Sequence, residues 1–510
     1  MQKKLLLLLA VLAVALVVPP LSSTAVGTDT TALRNAVTVA GVMEHEAELQ
    51  AIANANGGTR ASGTSGYEES VDYVAGLLAG AGYDVTIQNF TYDQYVLNSS
   101  AFERVSPEPK VYAEGLDAEY SPMDYSGAGD VTAPLVAAGG ITIPSPGGSE
   151  SGCSAGDFAG FPAGAVALVQ RGTCTFRQKA ENAEAAGAAA VVVFNEGNDD
   201  PNDDRLGVIA GTLDPPQMDI PVLGTSFAVG EELYGRLAGG QAVTVRVAVD
   251  AETTTTATAN VIADTRTGRA DRTVVVGAHL DSVGEGPGIN DNGSGTSAIL
   301  ETALQLAELE IEPVNRVRFA FWGAEEDGLI GSQYYVDNLP RRELKDIALN
   351  LNHDMVGSPN FVRFVYDGDG SAFGVDGPSG SGHIESVFVD YFTSQGLATE
   401  PTEFDGRSDY DAFINAGIPA GGLFTGAEGI KTAEQAAVYG GTAGLAYDPC
   451  YHQACDTIAN VSTTAIDQMS DAIAHSTLLF AMTKSSVNGT DKASNTAKET
   501  MAYHGSKLER

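Results

Sequence analysis

The stretch RTVVVGAHLDSVGEGPGINDNGSGTSAILETALQLAEL, residues 272–309, reads as a strand, a loop and a helix. Val274, Val275 and Val276 form the unbroken apolar run of a strand buried on both faces. TSAILETALQLAEL repeats its apolar residues at helical spacing. Between them, among glycines and asparagines, sit His279, Asp281 and Asp291. Each has an ordinary reading, since Asp291 in NDNGSG suits a turn or a helix cap. The same residues would also make half of a metal site, and the rest of the chain has to decide between the two.

Downstream the alternation continues. NRVRFAFWGAEE (315–326) is a strand, GLIGSQYYVDNL (328–339) a helix, KDIALNLNHDMVG (345–357) a strand and IPAGGLFTG (418–426) another. This order predicts an α/β fold, a doubly wound, mostly parallel sheet with helices on both faces, whose ligands lie beyond the carboxyl ends of the strands. His279 and Asp281 follow the strand at 274–277, Glu325 and Glu326 follow that at 317–322, and His353 and Asp354 follow that at 347–351. Asp291 lies on the loop entering a helix, and His452 on a loop between two cysteines. Glu325-Glu326 alone would read as a solvated helix start. Several clusters on one sheet edge, in a chain with 7 histidines, read as a site.

The inventory fits two zinc ions. Zinc takes imidazole nitrogen and carboxylate oxygen, and a close metal pair needs a bridging carboxylate. Two histidines, three ligand carboxylates and one carboxylate left over as a base are at hand. Asp281 is placed to accept the second N–H of His279. No HExxH motif is present, since His45-Glu46 does not complete one.

Upstream, residues 29–92 read as helices followed by a strand. Val71, Val74, Leu77 and Leu78 recur at helical spacing before Gly80 and Gly82, and YDVTIQNFTY (83–92) alternates as a strand does. Residues 106–148 are richer in proline and glycine, which marks a boundary. RGTCTF (171–176), KAENAEAAGAAAVVVFN (179–195) and IPVLGTS (220–226) resemble the protease-associated domain, a small α/β insert. It carries no nucleophile or metal cluster; restricting access, binding protein and structural filling are all open roles. Its acidic loop NEGNDDPNDD (195–204) reads as a solvated surface segment.

A chain of 510 residues with 43% hydrophobic and 18% charged content implies more than one globular domain. The net charge of -38 argues against nucleic acid or an anionic membrane as partner and suits an extracellular medium. Lys3 and Lys4, an apolar run over 5–18, Pro19-Pro20 and Ser23-Thr24-Ala25 read as a secretory signal peptide. Export makes disulfides the default, and proximity pairs Cys153 with Cys174 and Cys450 with Cys455. The layout is therefore a signal peptide at 1–25, a catalytic domain at 26–105 and 256–485, an insert at 106–255, and a polar, poorly ordered tail at 486–510.

GAHLDSVGEGPGINDNGSGTSAILE (277–301), FAFWGAEEDGLIGSQYYV (319–336), LNLNHDMVGS (349–358), FDGRSDYDAFINAGIPAGGLFTGAE (404–428) and YDPCYHQACDT (447–457) together resemble the co-catalytic zinc aminopeptidases, peptidase family 28 of the metallopeptidases. The likeness is to secreted bacterial leucine-type aminopeptidases and aminopeptidase Y, with the protease-associated domain inserted. It implies that His279 and Asp354 bind one zinc, Glu326 and His452 the other, and that Asp291 bridges them. Glu325 would be the general base, and Tyr451 would donate a hydrogen bond to the oxyanion. Arg407 and Phe424 would position substrate, against the plainer readings of a surface ion pair and a core aromatic. Cys450–Cys455 would brace the loop carrying Tyr451 and His452. Calcium binding occurs in the family, with no position assigned here. The expected function is removal of hydrophobic, Leu-like first residues from peptides and proteins by a secreted monomer. The alternatives are a carboxypeptidase on acidic peptides, a single-zinc glutaminyl cyclase and, last, a non-enzymatic peptide-binding protein.

Overall fold

β-branched and aromatic runs lay down the strands, and the computed structural model describes residues 28–489 except 116–117, 144, 146, 199–204 and 210. The expected signal peptide, the chain beyond Gly489 and most of the acidic loop at 195–204 lie outside the described residues.

In chain order, α1 (Thr31–Ala36), α2 (Val39–Ala55) and α3 (Ser65–Gly80) lead into β1 (Asp84–Ser106), β2 (Lys110–Val111), β3 (Tyr120–Pro122) and β4 (Gly129–Ala137). Next come β5 (Val166–Gln170), α4 (Phe176–Ala185), β6 (Ala190–Phe194), β7 (Val222–Thr225) and α5 (Phe227–Ala238). The long β8 (Thr244–Asp264) leads to β9 (Arg269–His279), α6 (Gly295–Glu308), β10 (Asn315–Trp322), α7 (Ile330–Asn338), α8 (Arg341–Asp346) and β11 (Ile347–His353). The chain ends through β12 (Phe364–Tyr366), α9 (Ser381–Ser394), β13 (Glu400–Thr402), α10 (Tyr410–Asn415), β14 (Ala420–Phe424), α11 (Ala433–Tyr439) and α12 (Thr463–Met482).

Strands β14, β11, β9 and β10 lie side by side and parallel, the sheet centre that the 272–357 pattern predicts. Alternation sorts their side chains. Val274 and Val276 join Val317, Phe319 and Phe321 under α6, α12 and α2, while Val275 joins Ala320, Trp322 and Phe413 on the opposite face. Each fully buried valine or leucine contributes about 1.5–3 kcal/mol relative to exposure. The insert repeats the scheme, with Val166, Leu168 and Val192 on one face and Val169, Val191 and Val193 on the other.

The two parts keep separate cores but are joined by shared strands. β8 pairs with β10 through residues 261–264 and with β4 through residues 244–249, while β1 runs antiparallel along almost its whole length. The catalytic and inserted parts therefore share one 14-stranded sheet. Threonine-rich TTTTATAN (253–260), placed near the expected boundary at 255, is uninterrupted strand. Where the tail was expected to begin, Val487 is buried and Asn488 Nδ2 donates to the Ala348 carbonyl at 3.0 Å. Among the described residues no helix is long and apolar enough to cross a membrane.

Candidate metal centre and active site

The parallel strands stop together, and the side chains just past their ends meet. His279 is the last residue of β9 and His353 the last of β11, while Glu325 and Glu326 follow β10 by a short turn. Asp291 sits in a turn (Ile289–Ser294) and departs there from helical backbone angles. The start of α6 just after it is pressed onto β11: a Cβ at Gly295 would lie 2.1 Å from the His353 carbonyl, so only glycine allows the approach. Asn292 Nδ2 also donates to that carbonyl, at 2.9 Å.

Asp291 stands between two imidazoles. Its Oδ1 is 3.2 Å from His279 Nε2 and its Oδ2 is 3.3 Å from His452 Nε2. His279 Nε2 also lies 3.2 Å from Asp354 Oδ1, and His452 Nε2 lies 3.1 Å from Glu326 Oε2. Two triads thus form, His279–Asp291–Asp354 and Asp291–Glu326–His452, with Asp291 common to both. Each nitrogen faces two carboxylates, more acceptors than one N–H can serve. Ligands about 2.0–2.1 Å from a tetrahedral zinc lie about 3.3 Å from one another. The donor set and its spacing therefore fit a pair of divalent zinc-like ions.

Electrostatics point the same way. Burial pulls the His279 imidazole down, and the carboxylates of Asp354 and Glu325 more than reverse this, holding it well above its ordinary value. Burial also opposes the charged form of His452, yet Glu326 and Asp291 push it up to about 10. Such a cluster of anions calls for positive charge at its centre.

The remaining carboxylates differ in role. Glu325 Oε2 lies 3.9 Å from His279 Nε2, too far to bond it. Burial raises its carboxyl well above the usual range, His279 opposes this, and Asp354 and Glu326 add to it. Asp281 differs from the sequence expectation. Its Oδ1 is 3.7 Å from His279 Nδ1, whereas its backbone carbonyl is at 3.2 Å and takes the ring N–H. The Asp281 carboxylate instead accepts the backbone N–H groups of Glu325 at 3.2 Å and Glu326 at 3.3 Å. His353 turns away from the cluster and meets the Phe388 ring edge-on.

Arg407 is at once an ion pair and a neighbour of the site. Its Nη1 donates to Glu428 at 2.7 Å and its Nη2 to the Tyr451 hydroxyl at 3.3 Å. The Tyr451 ring stacks on that of His452 with centroids 3.8 Å apart. Phe424 stacks on Phe364 and, with Met355, Tyr366 and Ala427, gives the apolar wall of a cavity of about 70 Å³ beside the cluster. Both expected disulfides form, Cys153–Cys174 and Cys450–Cys455, the second closing the loop that carries Tyr451 and His452.

Three supporting residues escaped the sequence reading. Ser408 Oγ donates to Asp354 Oδ2 at 2.7 Å, and its neighbour in GRSDY was the only hint. Asp456 accepts the N–H groups of Asn290 and Asp291 at 2.9 and 3.0 Å, orienting the shared carboxylate. Arg60, fully buried, donates to the carbonyls of Leu280, Pro287 and Gly288 and so clamps the loop after β9. No sequence pattern marks it. A further acidic group, Asp367, Asp369 and Glu385, lies elsewhere and spends its oxygens on backbone N–H groups of residues 368–373.

Residues 260–477 match the model of peptidase family M28, and residues 131–233 match the PA domain. An aminopeptidase of Pseudomonas aeruginosa is 50% identical over 437 residues, covering 85% of this chain and 79% of that protein. Leucine aminopeptidase 2 of Arthroderma otae is 40% identical over 480 residues, 93% of this chain and 90% of that protein. Among solved structures, the aminopeptidase from Aneurinibacillus sp. strain AM-1 superposes with a TM-score of 0.69 at 26% identity, covering 88% of this chain and 94% of that one. A zinc aminopeptidase from Bacillus subtilis does so with a TM-score of 0.59 at 25% identity, covering 92% and 98%.

Proposed function

The chain belongs to peptidase family M28 as a metallo-aminopeptidase with an inserted PA domain, and we propose that it is exported and removes hydrophobic first residues with the help of two zinc ions. The observation that carries this reading is the pair of triads sharing Asp291, with Glu325 alongside. In the proposed assignment His279 and Asp354 would hold one ion and Glu326 and His452 the other, with Asp291 shared between them. When bound, such a pair supplies Lewis acidity, polarising a carbonyl and lowering the pKa of water toward about 7.

The protein's own groups do the rest. Glu325 takes the proton of the attacking water and delivers it to the leaving amine. Its raised affinity for a proton, set by burial, suits an acceptor that must also give the proton back. Tyr451 accepts from Arg407, which leaves its own O–H proton free to point at the oxygen that becomes negative. Asp354 and Glu325 favour the free α-ammonium group of a peptide start, and the wall of Phe424, Met355 and Tyr366 suits an apolar first side chain. Glu403 and Asp405 add to the acidic lining against the single guanidinium of Arg407, which disfavours a carboxypeptidase for acidic peptides.

Two disulfides support an oxidising compartment, and the proposed solution state is a monomer. The test is metal content by mass spectrometry with a panel of aminoacyl anilides. Two zinc ions per chain, turnover of Leu-p-nitroanilide and none of its N-acetyl form are expected. One zinc with cyclisation of an N-terminal glutamine, or release of acidic C-terminal residues from N-acetylated peptides, overturns the reading.

A further inference from the structure

The turn that presents Glu325 and Glu326 hangs on the ribbon of β1 and β8 that carries the insert. One side chain of β8 grips it at both ends: the fully buried Asn260 accepts the Gly323 N–H at 3.0 Å and donates to the Gly331 carbonyl at 2.8 Å. Between those points β1 takes over, through residues that alternate along the strand and so share a face. Phe90 and Tyr92 cluster with Ala324 of the turn and with Ile330 and Tyr334 of α7, and the Phe90 and Tyr334 rings stack with centroids 4.4 Å apart. The Tyr92 hydroxyl donates to the Asp327 carboxylate, and Gln94 Nε2 donates to it at 3.3 Å. Gln94 is held in turn by Thr256 on β8, whose hydroxyl donates to its Oε1 at 2.9 Å.

We propose that Asp327 is a positioning residue for the reaction, tying Glu325 and Glu326 to the ribbon through Tyr92 and Gln94. The proposal rests on the aminopeptidase reading and adds to it a residue outside the two triads. The backbone of this turn needs an outside hold. Ala324 and Leu329, on either side of the two glutamates and Asp327, have φ of 57° and 60°. Left-handed backbone is disfavoured for residues with a side chain, and it persists where the surroundings impose it. The Asp281 carboxylate holds the N–H groups of Glu325 and Glu326 from the β9 side. The ribbon holds the other side, by packing on Ala324 and by bonding Asp327. Asp327 directly follows Glu326, whose Oε2 stands 3.1 Å from His452 Nε2. Metal ligands tolerate displacements of only about 0.2 Å, so a turn released at Asp327 carries Glu326 out of range. The same strand that reaches into the insert thus sets where the catalytic glutamates stand.

The experiment compares wild type with Tyr92→Phe, Asp327→Asn, the double variant and Thr255→Ala, an exposed change on the same ribbon. It reads kcat and KM for Leu-p-nitroanilide and the rate constant of zinc loss to a chelator. KM and that rate constant do not depend on the folded fraction of a variant. Tyr92→Phe and Asp327→Asn are each expected to lower kcat about 10-fold, to leave KM within about 2-fold and to speed zinc loss about 10-fold, the scale for groups that orient metal ligands. The double variant is expected to lose no more than the worse single one, because both changes break one link. Thr255→Ala is expected to keep wild-type kcat and zinc loss. Wild-type zinc loss in Tyr92→Phe, single losses that multiply in the double variant, or an equal loss with Thr255→Ala overturns the proposal. Zinc content and Leu-p-nitroanilide turnover of wild type report the aminopeptidase reading separately.

Discussion

The Asp281 carboxylate crosses from the end of β9 to accept the backbone N–H of Glu325 at 3.2 Å. With its other oxygen on the N–H of Glu326, it fixes the turn that presents both glutamates. Asp281→Asn places an amide donor against one of those N–H groups, so the turn must shift. A loss of about 10–100-fold in kcat is expected, the range for residues that orient metal ligands. Steady-state kinetics with zinc content measured after dialysis checks it, and an unchanged kcat would release Asp281 from this role.

Glu325→Gln keeps the shape of the proposed base and removes its proton affinity. Turnover is expected to fall by about 10²–10⁴-fold. Glu325 lies outside both triads that share Asp291, so zinc content is expected to stay near wild type. Loss of metal in parallel with activity would mark Glu325 as a ligand instead.

Tyr451→Phe removes one donor to the developing oxyanion, for which about 10²–10³-fold in kcat is the expected scale. Arg407→Met acts through the same hydroxyl, so the double variant is expected to lose much less than the product of the two single losses. Multiplicative losses in the four kcat values would show that Arg407 works through Glu428 alone.

Glu46 on α2 is fully buried, and neither carboxylate oxygen has a hydrogen-bond partner among the described residues. Burial, with Asp456 adding to it, raises its carboxyl well above the ordinary value. The unfolded chain ionises near pH 4.3 while the folded chain keeps its proton, so stability is full below that point and declines as pH rises toward the folded value. The slope is at most about 1.4 kcal/mol per pH unit for this group. Glu46→Gln is therefore expected to melt close to wild type at pH 4.5 and above it at pH 8. Thermal scans across that range test it, and parallel Tm curves for the two proteins would refute it.

What could be read from the sequence follows from where the information is local. Val274–Val276 before His279, and Phe319–Trp322 before Glu325, carry strand and site in one short span, so the sheet centre and its converging side chains were legible. The roles of Ser408, Asp456 and Arg60 depend on contacts across 54, 165 and more than 220 positions, and nothing near them in the chain announces it. Asp281 lies beside Glu325 and Glu326, with their backbone N–H groups as partners instead of the expected imidazole N–H. The choice between an imidazole N–H and two backbone N–H groups is made by the turn after β10, which spacing along the chain does not reveal. The shared strand β8 was missed because TTTTATAN looks like a polar connection, and only its pairing with β1 makes it sheet.

That strand has a mechanical consequence. A module tethered by two loops would swivel, but this one is cantilevered on a hydrogen-bonded ribbon whose roots lie in both cores, at Val245 and Val247 on one side and Val261 and Ala263 on the other. The gap above the sheet edge is then set by counting residues along the ribbon. Deleting one residue between Ala251 and Thr258 together with its partner on β1 would draw the outer module inward by about 3.3 Å and turn the side chains beyond it to the opposite face. The length of this ribbon thus sets how far the outer module stands from the catalytic core, and paired changes of two residues alter it while keeping each side chain on its own face.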